Sequence, residues 1–439
     1  MDSPKDNAGG RGRSIRSNHR ARNHESAHAE SAQGDTTDPQ VSHPLVSTKK
    51  ASVVQTQPQL TQLIEQLRQA GRFAYDSEFI GELSYVPKLC LIQVAWTADV
   101  VLIDPLAKID LRPFWELVAD PSVEKVVHAG EQDVEPVFRH LGRPPRNLFD
   151  TQIAAGFVGL PYPLSLSKLI LEIVNAKLGK GLTFTHWDER PLSEAQLRYA
   201  ADDVRYLPAV REALEQQMPS RTYLDWAREE SAELAVPGVY QFDPERAYLR
   251  VRGMNALNSR QVAVLKELTI WRDQAARVDD VPPRSLLKDE IMVALARSPV
   301  KTVEKLDQVR GLPRPVEKTH GQTLVEAMDR GTRAPAANMP IVRTVVPTPR
   351  EKVATDALWS IVQAHCFSQR IDPNLVTSRQ EVGDLWRAIV AEPNPSEAKS
   401  LRILQGWRRI AVGQWLLDLL DGRAALKIDW RHGVCQPVS

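Results

Sequence analysis

Residues 73–80 read FAYDSEFI, a strand-like run interrupted by two carboxylates, Asp76 and Glu78. In a strand, residues i and i+2 share a face, so these two project together while Phe73, Tyr75, Ser77 and Phe79 take the other side. Like charges this close repel, and desolvating them is costly unless a cation compensates. A divalent metal is the simplest compensation. A strand end with its acidic face in water explains the triplet equally well while it stands alone, so its meaning depends on the rest of the chain.

Working outward, LTQLIEQLRQA before the run has helical apolar spacing. After it, the turn formers of GELSYVP lead into KLCLIQVAW and then DVVLID, three strands in quick succession that predict an antiparallel meander. The pattern then alternates: helix near 111–119, strand KVVHAG, helix near 132–141 and helices to about 217. This predicts an α/β domain with a mixed sheet flanked by helices. Beyond residue 218 strand signals nearly vanish. Residues 254–332 read as four or five short helices, and TRAPAANMPIVRTVVPTPRE as a Pro-rich linker. Residues 351–428 are helical again and read as a diverged copy of the first helical block. Their Trp359, Trp386, Trp407 and Trp415 lie on apolar faces, which favours core packing over stacking on bases.

The expected domains are a disordered tail 1–54, an α/β domain 55–217, a helical linker 218–253, an all-α domain 254–333, a linker 334–350 and a second helical domain 351–430. The tail lacks Phe, Trp and Tyr and has too little apolar surface to repay the entropy of ordering. His24 and His28, spaced i, i+4 within it, suit a metal only on a stable helix. With 439 residues the chain can build about two to four cores. Its three cysteines, Cys90, Cys366 and Cys435, are too scattered for a disulfide framework or a CxxC site. No apolar run approaches the roughly 20 residues needed to span a bilayer, and the N-terminus has no apolar signal core. A cytoplasmic protein without a membrane association or an evident obligate protein partner is expected. Residues 71–217 carry 21 acidic against 15 basic side chains and residues 250–333 carry 11 against 16. An acidic segment followed by a basic one suits a metal enzyme with an attached polyanion-binding module, though ordinary surface variation gives the same counts.

Two further stretches supply chemistry. In KVVHAGEQDVEPVF a strand ends at His128, a small turn follows, and Asp133 falls in the first turn of a helix. A carboxylate there also suits the helix dipole, so capping and ligation both stay open. His128 reads as a hydrogen-bonded core histidine. In SEAQLRYAADDVRYLPAV, Ser193 and Gln196 form a capping box. Tyr199 and Asp203, spaced i, i+4, share one face; Asp202 turns about 100° away, toward solvent or Arg198 or Arg205. Four carboxylates on a strand face, a helix start and a helix face can hold two Mg²⁺ or Mn²⁺ ions about 3.5–4 Å apart, the apparatus for in-line attack at phosphorus.

Asp-x-Glu on the first strand, Asp133 after HAGEQ, and Tyr-x-x-x-Asp on a late helix resemble the three motifs of the DEDD 3′–5′ exonucleases. Tyr199 four before Asp203, with Arg198 where the histidine subtype needs His, matches the tyrosine subtype. The wording YDSEF, LIQVAW, KVVHAGEQD, FDTQIAA and THWDERPLSEAQLRYAADDVRYL resembles ribonuclease D. Residues 255–306 resemble the helical HRDC module, and IDPNLVTSRQEVGDLWRAI weakly resembles a second one. The resemblance implies a ribonuclease H-like nuclease domain followed by two small all-α HRDC-like domains. It implies that Asp76, Glu78 and Asp203 hold one metal, that Asp76 bridges to a second with Asp133 nearby, and that Tyr199 positions the water. It further implies trimming of RNA 3′ ends, in tRNA precursors or other structured RNA. Arg284, Lys288, Arg310 and Arg314 are candidates for phosphate contact, and each could equally be a solvated surface charge. The rival expectations are a DNA exonuclease and a catalytically silent RNA-binding scaffold.

Overall fold

The computed structural model describes residues 42–81, 84–97, 99–179, 181, 185–236, 241–335, 347–429 and 434–438. Contacts divide the chain into 1–37 and 38–439, and everything described lies in the second unit. His24, His28 and most of the expected tail lie outside the described residues, as does 336–346 of the Pro-rich linker.

A six-stranded mixed sheet organises the first half. Its strands are β1 (Ser52–Val54), β2 (Arg72–Ile80), β3 (Lys88–Ala95), β4 (Val100–Ile103), β5 (Glu124–Val127) and β6 (Leu148–Asp150), in the order β1-β4-β3-β2-β5-β6. β2, β3 and β4 form the expected antiparallel meander, while β1, β5 and β6 join in parallel. One face of the sheet is covered by α1 (Gln57–Ala70), α2 (Arg112–Ala119) and α3 (Glu131–Leu141), which bury Leu60, Leu67, Phe114 and Val137 against Phe73, Tyr75 and Val94. The other face carries α4 (Thr151–Gly156), α5 (Leu166–Val174), α6 (Glu194–Arg205) and α7 (Leu207–Gln217). Local chemistry fixes these ends: Thr56 and Gln59 close a capping box on α1, and Ser193 and Gln196 close the expected one on α6.

Three expectations need correction. The tail does not run to residue 54, because Val46 and Ser47 are buried and Ser52–Val54 pairs in register with Val101–Ile103. The segment 218–253 is no mere linker. Its helix α8 (Arg221–Ala232) buries Leu224, Trp226 and Ala227 in the nuclease core, and the Ser231 hydroxyl accepts the Asp150 backbone N–H at 3.0 Å. The second helical block closes on a hairpin, β7 (Ala425–Asp429) with β8 (Val434–Val438), where only helix was expected.

The first helical block contains two 20-residue helices, Ser259–Val278 and Arg314–Arg333, and so is less uniformly short than its punctuation suggests. It has its own core around Leu268, Trp271, Met292 and Leu324. It meets the nuclease at Tyr85 in the β2–β3 loop. The Tyr85 hydroxyl donates to Asp273 at 2.5 Å, its N–H donates to Asp280 at 3.0 Å, and the Arg277 guanidinium lies over its ring. The second block packs directly on the nuclease. Trp407 inserts beside Phe157 and Trp226, and Asp372 N–H donates to the Gly156 carbonyl at 2.8 Å. A Cβ at Gly156 would fall 2.9 Å from the end of the Leu375 side chain, so any larger residue there would push that leucine aside. Trp386 and Trp407 are buried and Trp359 and Trp415 pack against the same core, so all four tryptophans are structural.

The start of β5 buries two charges side by side. Glu124 gathers Arg72, Arg211 and Arg228, and although burial opposes ionisation, Arg211 and its neighbours outweigh it and hold the carboxyl below its usual range. Lys125 has only the carbonyls of Asp120 and Val123, each at 2.7 Å, and burial pulls its ammonium down to about 7. Between about pH 7 and the unfolded value near 10.4 the unfolded chain binds the extra proton, so the native state gains stability as pH rises through that window. Lys125→Met is expected to remove this slope. Urea midpoints at pH 6.5, 8 and 9.5 should converge between wild type and variant toward the alkaline end, and parallel profiles would refute the assignment.

Candidate active site

β2 delivers Asp76 and Glu78 on the face toward α6, half-buried, while Phe73 and Tyr75 are fully buried on the other. Alternation holds through Glu78. A register shift between Glu78 and Phe79 then ends it, so Phe79 is only partly buried, and such irregularities re-aim side chains beside active sites. Asp133 arrives at the third position of α3 and is buried. It is placed from the back of β2: Ser77 Oγ donates to its Oδ1 at 2.7 Å, and the Tyr75 hydroxyl donates to its backbone carbonyl. Tyr199 and Asp203 face the site from α6 within hydrogen-bonding reach of each other. Asp202 turns away as expected and pairs with Arg205 at 2.9 Å. His128 is held between Thr151 and the Leu164 carbonyl, a structural role.

The turn before α3 is built by a residue that the pattern missed. Asp150, buried at the end of β6, accepts N–H bonds from Ala129 and Gly130 on one side and from Gln152 and Ile153 on the other. Ala129 has a φ of 55°, and a Cβ at Gly130 would fall 2.6 Å from the Val127 side chain. Asp150 thus holds a strained turn that aims Asp133. Its signal was the Asp-Thr pair in FDTQIAA, an N-cap dipeptide at a strand end. Arg190 has a similar role below α6. It binds Asp104 through two nitrogens at 2.7 and 2.8 Å and donates to the Cys90 and Trp187 carbonyls, fixing the loop that enters the helix.

Burial raises Asp76, Asp133 and Asp203, as it also raises Asp202 and Asp372. Burial lifts Asp76 to about 6. Burial first, then repulsion from Asp76 and Glu78, lifts Asp133 and Asp203 well above the usual carboxylate range. Tyr199 is likewise pushed up by burial, then by Asp203, Glu78 and Asp76. Elsewhere the fold pairs what it buries. Asp104, Glu124, Glu230, Asp273 and Asp289 each have an arginine, and Asp150 has its four backbone donors. Among the described residues, the largest influences on Asp76, Asp133 and Asp203 are burial, neighbouring carboxylates and hydrogen bonds, not a lysine or arginine. As they stand, no three His, Cys, Asp or Glu side chains among the described residues converge tightly enough to cage an ion. The donor set nevertheless fits hard divalent cations, being all oxygen and mutually repulsive.

Arg284, Lys288, Arg310 and Arg314 are exposed on the first helical block, with Arg284 drawn to Asp289 at 3.2 Å and Arg314 to Glu317 at 2.9 Å.

A mixed α/β sheet presenting these five side chains defines a nuclease of the 3′–5′ exonuclease class, and residues 51–219 match the family described as 3′-5′ exonuclease. Residues 261–328 match the HRDC domain. The chain is 36% identical over 380 residues to ribonuclease D of Gluconacetobacter diazotrophicus, covering 86% of this chain and 94% of that protein. To ribonuclease D of Granulibacter bethesdensis it is 34% identical over 381 residues, covering 85% and 93%. The crystal structure of Escherichia coli RNase D, an exoribonuclease involved in structured RNA processing, superposes with a TM-score of 0.73 at 28% identity, covering 85% of this chain and 99% of that one. This chain belongs to the ribonuclease D family of metal-dependent 3′–5′ exoribonucleases. No helix among the described residues is long and apolar enough to cross a membrane.

Proposed function

We propose that this exoribonuclease removes nucleotides from the 3′ ends of structured RNA, tRNA precursors included, with Asp76, Glu78, Asp133 and Asp203 as the metal-holding set. The observation that supports the assignment is the convergence of Asp76, Asp133 and Asp203 between β2, α3 and α6, each raised by burial and the last two by their neighbours' charge as well. Two Mg²⁺ or Mn²⁺ ions bound there would supply an activated water and neutralise charge on the leaving oxygen. Glu78 would also contact the terminal ribose, as the resemblance to the family implies. Ser77 and Asp150 keep Asp133 aimed at Asp76. Tyr199, held in the protonated form, donates toward Asp203 and can orient a water at the same place. Arg284, Lys288, Arg310 and Arg314 would add a sequence-independent grip on phosphates, weakened by salt.

The test is stepwise shortening of 5′-labelled RNA and of DNA of the same sequence, with Mg²⁺ or EDTA. Ladders from the RNA 3′ end that vanish in EDTA are the expected result. Binding without shortening, or equal digestion of DNA, would overturn the substrate assignment.

A further inference from the structure

After Lys88, strand β3 is apolar on both faces except at Gln93, whose side chain is fully buried and whose Nε2 and Oε1 both lack a hydrogen-bond partner among the described residues. A buried carboxamide with neither group satisfied is costly, and a methionine of similar shape would sit there without that cost. Its position says what it faces. Gln93 is directly opposite Asp76 across the β2–β3 pair and opposite Leu102 on β4. Directly opposed residues of an antiparallel pair share a face and lie within side-chain reach. On that same face Leu91 and Leu102 pack with Ala200 and Tyr199 of α6. The carboxamide therefore enters the layer between sheet and α6 that holds the motif residues, with Asp76 as its nearest polar cross-strand neighbour.

We infer that Gln93 is a positioning residue for Asp76, its Nε2–H₂ donating to the Asp76 carboxylate when that carboxylate turns to engage a divalent cation. This rests on the reading of Asp76 as a metal ligand. Ligating carboxylates are themselves hydrogen-bonded, and loss of such a partner typically weakens metal binding about 10–100-fold. In the present arrangement the amide makes no hydrogen bond to Asp76 or to any other described group and stands idle. A purely structural glutamine would be satisfied in the fold, and this one is not.

The experiment uses the full chain, with Gln93→Met beside Asp76→Asn, and Mn²⁺ alone as the probe. The thermal midpoint is measured in EDTA and then as a function of Mn²⁺, and RNA shortening is followed over the same concentrations. Gln93→Met should keep or raise the midpoint in EDTA while needing 10–100-fold more Mn²⁺ for half of the stabilising shift and for half-maximal shortening. Asp76→Asn should lose the shift. If Gln93→Met responds to Mn²⁺ like wild type while Asp76→Asn does not, the inference falls and the metal site stands. A lowered midpoint of Gln93→Met in EDTA would also overturn it, since the amide would then be serving the fold. If Asp76→Asn keeps the full Mn²⁺ response, both readings fall together.

Discussion

Asp203→Asn is expected to cut RNA shortening by on the order of 10³-fold or more while leaving the EDTA midpoint unchanged or higher. The two effects have one cause. Asp203 is held in partial burial against Asp76 and Glu78, and its carboxyl is raised by burial and by their charge. Removing its charge relieves that repulsion, so the metal-free fold has nothing to lose electrostatically. Catalysis loses a ligand oxygen, and metal stabilisation of a phosphoryl transition state is worth several kcal/mol, at tenfold per 1.36 kcal/mol. Such a trade of stability for activity marks a functional residue, whereas a structural carboxylate behaves oppositely. Glu124 is the internal contrast, because its charge is matched by three arginines and its neutralisation should destabilise. Circular-dichroism melts in EDTA with gel assays in Mg²⁺ check both halves. A destabilised Asp203→Asn would mean that the carboxylate is a fold element.

The parts of this site that were legible in the sequence are those with short-range signatures. The i, i+2 pair on β2, the i, i+4 pair on α6 and the Ser193–Gln196 box all follow from local geometry. Asp133 was ambiguous because helix capping and ligation use the same position. The Ser77 bond from the back of β2 and the proximity of Asp76, which support the proposed ligation, depend on tertiary contact. What stayed hidden depends on pairing over distance. Ser52–Val54 is too short to show a period and becomes a strand only against β4. The helix α8 looks solvent-facing until Glu230 and Ser231 find partners that their spacing cannot announce. Gln93 was plainly visible in LIQVAW, yet without the β2–β3 register nothing sets it opposite Asp76.

Glu230→Ala is expected to release the second helical block from the nuclease, at a cost of about 3–5 kcal/mol. Glu230 sits buried on α8 and takes three donors from the other body: Arg408 at 2.5 Å, Arg402 at 2.7 Å and the Trp407 indole N–H at 2.9 Å. Arg408 is itself buried, so deleting the carboxylate strands a guanidinium and an indole in a dry interface. Burial works against the Glu230 charge, but the Arg408, Trp407 and Arg402 contacts outweigh it and hold the carboxyl below its usual range. The folded value being depressed, this contribution is fully present above the ordinary glutamate value of about 4.3 and is lost as pH falls through the folded one. Limited proteolysis at pH 7.5 should cut the variant within 347–380 at rates that leave wild type intact, and wild type should acquire the same pattern only in acid below the ordinary glutamate range. Residual single-nucleotide trimming of short unstructured RNA should survive, because no motif residue touches this interface. A variant that stays protease-resistant would show that Phe157, Trp226 and Trp407 hold the two bodies together without the ion pair.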